Sequence, residues 1–96
     1  MTRPPTVEVS AEELEALFKA LEIWAKIRDG RLTTSPVPSK TRPSWNYAGG
    51  SSEITSHKNS AGYHVTTTHR IIAPDGSIPH WDAKSLRIGD IVIWCQ

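Results

Sequence analysis

The 96-residue chain reads as an α+β domain: one N-terminal amphipathic helix packed on a small, mainly antiparallel four-stranded sheet. Three observations predict it. Apolar residues recur at three- and four-residue spacing behind a helix-start signal near the N-terminus. The second half is rich in β-branched residues and is cut by Gly, Pro, Asn and Asp turn signals. The length suits one compact domain with a modest core that needs neither disulfide nor structural metal.

Residues 1–9 contain Pro4-Pro5 and read as an extended arm, because proline cannot donate to a helix ladder. Residues 10–96 form the single domain. Ser10 and Glu13 match the S-x-x-E capping box, in which side chain and backbone satisfy each other reciprocally. Leu14, Leu17, Phe18, Leu21 and Trp24 then make one apolar stripe. Glu12, Glu13 and Glu15 complement the positive end of the helix dipole, Lys26 and Arg28 the negative end, and Gly30 closes the helix. The spacing predicts a helix over about 10–29. Pro36, Pro38, Pro43 and Gly49-Gly50 make 31–52 a long loop.

Strands are expected at about 53–58, 63–72, 77–82 and 90–95. Asn59-Ser60-Ala61-Gly62 and Ala73-Pro74-Asp75-Gly76 supply the intervening turns. The last strand is apolar on both faces, through Ile91, Ile93 and Cys95 on one and Val92 and Trp94 on the other. It is therefore expected to insert between neighbours.

The net charge of +1 is unevenly spread. Residues 1–29 carry a balance of −2, residues 30–72 one of +4 and residues 73–96 one of −1. A basic middle suits an anionic partner such as RNA, and equally a merely solvated surface. The lone Cys95 has no internal partner, and there is neither a signal peptide nor a long apolar run. A cytoplasmic location without membrane attachment is the resulting expectation. In the long loop Lys40 and Arg42 interleave with Trp45 and Tyr47, a pattern that fits phosphates and stacked bases. The same two aromatics would serve as anchors on the core, or as the docking surface for a larger protein.

The best chemical lead is four histidines within 24 residues: His57, His64, His69 and His80. Imidazole takes and gives protons near neutral pH. Alternation places His64, Thr66, Thr68 and Arg70 on one face of the 63–72 strand, a polar face expected toward solvent or a site. Tyr63, Val65, Thr67, His69 and Ile71 fall on the other, expected toward the core. If both hairpins close with four-residue loops, His57 stands opposite His64, and His69 opposite His80.

That polar face holds the parts of a metal-independent ribonuclease. His57 and His64 would serve as acid and base, Arg70 would stabilise the transition state, and Lys58, Thr66 and Thr68 would hold phosphate. Without that chemistry they are surface residues on a threonine-rich strand. His69 and His80, the latter near Asp82, read as hydrogen-bonded fold residues. No cofactor and no metal are expected, since zinc would have to recruit its ligands across strands.

The chain lacks a phosphate-binding P-loop, a dinucleotide glycine fingerprint, a nucleophile elbow and an H-E-x-x-H zinc motif. In element order alone, a leading helix followed by an antiparallel sheet bearing His, Thr, Arg and Lys resembles the small bacterial ribonuclease toxins of the barnase and RelE type. That resemblance implies RNA as substrate and an antitoxin as partner. The expected function is a small nucleic-acid-directed protein, with a metal-independent endoribonuclease as its sharpest form. The alternative is a non-enzymatic inhibitor or accessory subunit of phage or mobile-element type, docking a larger protein through Trp45 and Tyr47.

Overall fold

The structure, a computed structural model, describes residues 5–44 and 48–96. Its centre is a mixed seven-stranded sheet, which replaces the four-stranded antiparallel sheet expected from sequence. The strands are β1 (Thr6–Glu8), β2 (Ser35–Pro36), β3 (Arg42–Pro43), β4 (Ser51–Lys58), β5 (His64–Ile72), β6 (His80–Ile88) and β7 (Ile91–Trp94). They are ordered β1-β7-β6-β5-β4-β2, and β3 also pairs with β4.

The additional strands come from segments whose prolines argued against a ladder. β1 runs parallel to β7, with Val7 opposite Ile93, so part of the expected arm is a sheet edge. The parallel pairing is what makes the sheet mixed. β2 and β3 are two-residue pieces pairing antiparallel along the outer edge of β4. Between them the Pro38–Lys40 turn stays close, and Val37 donates its backbone N–H to Ile54 O at 2.8 Å. The proposed loop is thus an edge strand chopped short by Pro36, Pro38 and Pro43, which blunts the edge against further pairing. β7 lies between β1 and β6, as its two-sided apolar pattern requires.

The single expected helix is two: α1 (Ala11–Ala20) and α2 (Ile23–Arg28). The capping box forms as read, with Ser10 Oγ accepting from Glu13 N and Glu13 Oε1 accepting from Ser10 N, each at 3.1 Å. Glu22 breaks the helix in a left-handed conformation at φ 56°. After this break Ile23 and Ile27 join Leu14, Phe18, Leu32, Ala83, Leu86 and Cys95 in the core between helices and sheet. Phe18, Trp24 and Trp81 line up beside them, with ring centroids 5.2 and 5.7 Å apart.

The strand boundaries move most at β6. It begins at His80 rather than near Ser77, and Ile71 rather than His69 stands opposite His80. Asp75 accepts from Ser77 N and Oγ, which keeps the turn in its own hydrogen bonds and out of the ladder. Among the described residues no helix is long and apolar enough to cross a membrane.

Candidate functional site

β5 carries five of the chemical residues singled out by sequence, His64, Thr66, Thr68, His69 and Arg70, and a register shift in each of its two ladders decides where they point. One lies between His57 and Lys58: His57 stands opposite Thr66, while Lys58 stands opposite His64. The expected His57–His64 opposition is absent. Neighbouring residues on β4 face opposite sides of the sheet, so the two imidazoles are on opposite faces.

The Thr66/Thr68 face, expected toward solvent, is the one the helices cover. Thr55, His57, Thr66 and Thr68 are each 0% exposed. Their polar atoms find partners in one another and in Thr33, Trp81 and Ser85. The Thr33 carbonyl accepts from His57 Nδ1 at 3.0 Å, which fixes the neutral tautomer and leaves Nε2 as an acceptor. Thr68 Oγ1 donates to that Nε2 at 2.7 Å and accepts from Trp81 Nε1 at 2.8 Å. Thr55 Oγ1 donates into the same hydroxyl at 2.5 Å, and Thr66 Oγ1 donates to Ser85 O at 2.5 Å. Burial holds the His57 pKa below its ordinary value; the Thr33 carbonyl opposes this, and the charges of Arg70 and His64 reinforce it. His57 is thus an uncharged node of a polar core. Thr66 and Thr68, each 0% exposed, cannot touch a phosphate without displacing what covers this face of the sheet.

Arg70 shares the covered side, at its margin. Its Nε donates to Glu53 Oε1 at 2.9 Å, and its guanidinium lies 5.4 Å from the Trp81 ring centroid. Both charged side chains are less than one-fifth exposed. This cation is committed to an ion pair and a ring face.

His64 lies elsewhere. With Asn59, Tyr63, Val65, Arg87, Gly89 and Asp90 it lines a pocket of about 540 Å³ where the β4–β5 turn meets the β6–β7 turn. Its Nε2 lies 3.0 Å from Thr67 Oγ1. Its pKa is lowered, first by burial, then by the charges of Arg87 and Lys58, so at neutral pH it is an uncharged ring beside two cations. Tyr63, at the mouth, is 72% exposed. Sequence reasoning missed Arg87 and Tyr63 as site residues. Arg87 sits just before the Gly89-Asp90 corner, and only the folding of that hairpin onto the β4–β5 turn makes it a neighbour of His64.

The other expected contacts are dispersed. Lys58 is exposed beside His64. Arg42 lines a separate pocket of 420 Å³ with Pro43, Ser44 and Ala48, and Lys40 is exposed in the turn between β2 and β3. Arg42 stands opposite Ser52, six residues along β4 from Lys58, or about 20 Å at strand rise. Trp45 and Tyr47 lie outside the described residues, and with them the docking surface proposed for the alternative reading.

His69, expected toward the core, is on the open face. It stands opposite Asp82, its ring centroid is 5.9 Å from that of His80, and Ser52 Oγ lies 2.6 Å from its Nε2. Burial lowers its pKa and Lys84 adds to this, while Asp82 pulls it back up and His80 pushes it down. No family model, curated protein or solved structure matches the chain.

Proposed function

We propose that the protein is a nucleic-acid-directed binding module that takes single-stranded RNA at the His64 pocket. The observation that supports this reading is a pocket that His64 lines with Arg87 and a largely exposed tyrosine, with Lys58 standing opposite His64 on the neighbouring strand. Arg87 and Lys58 contact the phosphates, which position the strand without reading its sequence. Tyr63 offers a face on which a base stacks. His64 meets the ribose or a base edge, and Asp90 on the rim offers an acceptor to an exocyclic amino group. Cleavage by a His57–His64 pair is not part of this function, because His57 lies inside the core on the other face.

Fluorescence anisotropy with a labelled single-stranded RNA of about ten nucleotides tests the reading. Saturable binding is expected to weaken as salt rises. Arg87→Ala and Lys58→Ala should each flatten the salt slope by about 0.7, and Tyr63→Ala should cost about 1–3 kcal/mol. Binding that is absent, or indifferent to all three substitutions, overturns it. RNA cleavage in EDTA that disappears in both folded His57→Ala and His64→Ala would return the two-imidazole mechanism in its place.

A further inference from the structure

The open face of the sheet carries a second group of chemical side chains, away from the His64 pocket. We propose that His69, His80 and Asp82 form a binding site for a divalent transition-metal ion, zinc first among them. One ligand atom from each residue lies within 4.8 Å of those of the other two. The ladder produces this cluster. His69 on β5 stands opposite Asp82 on β6, and His80 is two residues before Asp82, so strand alternation puts all three on one face.

Ligand atoms around a tetrahedral zinc ion, at bond lengths of about 2.0–2.2 Å, are separated by about 3.4 Å. With the ligand atoms within 4.8 Å of one another, rotation of the side chains would bring them to that spacing. His80 Nε2 and Asp82 Oδ2 already meet at 2.5 Å across a hydrogen bond that the ion would replace. Their side chains are 48% and 43% exposed, which leaves the ion a way in from solvent. Ser52 Oγ, 2.6 Å from His69 Nε2, holds that ring in place and is a positioning residue.

Two imidazoles and one carboxylate suit zinc and its neighbours rather than calcium or magnesium, which prefer all-oxygen shells. Three protein ligands leave a fourth position to water or an anion. The site shares no residue with the RNA-binding pocket, and the two proposals fail separately.

Calorimetric titration of the metal-free full chain with zinc chloride tests it, with the visible absorption of bound Co²⁺ as a second readout. The expected result is a single saturable site, accompanied by a rise in Tm. His80→Ala and His69→Ala should each weaken it by more than about tenfold, and Ser52→Ala by about tenfold without abolishing it. His80 is exposed, so its variant keeps the fold even if the His69 variant does not. No saturable zinc binding, a titration unchanged by His80→Ala, or one lost instead with His64→Ala overturns the proposal and leaves an exposed His80–Asp82 pair.

Discussion

His57 has no exposed surface, and its position demands partners rather than protons. Each of its hydrogen bonds contributes only about 0.5–1.5 kcal/mol net, but leaving a buried partner unsatisfied costs about 1–3 kcal/mol. His57→Ala would take away the acceptor of the Thr68 hydroxyl proton and the donor to the Thr33 carbonyl, and would open a cavity beside Trp81, whose ring centroid is 6.4 Å from the imidazole. The expected loss in urea unfolding is about 2–4 kcal/mol. His57→Gln retains one donor and one acceptor and should recover part of it; equal losses in the two variants would show that volume, not hydrogen bonding, governs the site. The sequence marked His57 as chemically special, and the ladder decided in which sense. A histidine on a threonine-rich strand looks the same in sequence whether the hydroxyls around it face water or satisfy it inside.

At the scale of elements, the break at Glu22 is the clearest departure from pattern. A left-handed conformation costs a residue with a Cβ about 1–2 kcal/mol. The return is the redirection of Ile23 and Ile27 into the core, where they are 3% and 8% exposed. Glu22→Gly removes the steric cost and adds some unfolded-state entropy, so a net stabilisation of about 0.5 kcal/mol is expected from thermal melting. Glu22→Val should destabilise by about 1 kcal/mol or more, since a β-branched side chain tolerates this backbone least. A melting temperature unchanged in both would mean that the helix runs through residue 22. The capping box, the final glycine and the packing of Leu14, Leu17, Phe18 and Trp24 were legible because each is a local arrangement, whereas Leu21 of the expected stripe lies 40% exposed at the helix end. The break was not, because Leu21-Glu22 carries no breaker residue. β2 and β3 were equally hidden: their two-residue ladders exist only because β4 is there to pair with.

Across the whole molecule, the sheet buries a polar face and leaves open a mixed one. Thr55, His57, Thr66 and Thr68 lie under the helices, while Ile54, Thr67, His69 and Ile71 lie half-buried on the other side. This arrangement has a consequence for pH. The pKa values of His57, His64 and His69 are all lowered in the fold, chiefly by burial. The unfolded chain, with imidazoles near 6.5, then binds more protons than the native one on the acid side of neutrality. Stability is therefore full above about pH 6.5 and falls as the pH drops through that value toward the lowered native ones. Urea midpoints at pH 7 and 5 check this, and His57→Gln should shrink the difference. A midpoint that rises on acidification would mean that these imidazoles are charged in the native state.

The sequence by itself determined the helix start, the turns, the strand-rich second half and the residues worth watching, because capping, turn chemistry and side-chain period act over a few neighbouring positions. Only the tertiary structure decided the mixed seven-stranded order, the bulge that sends His57 and His64 to opposite faces, and the meeting of Arg87 with His64 and of Asp82 with His69. Those outcomes depend on register, and a single extra residue in a ladder reverses every face beyond it.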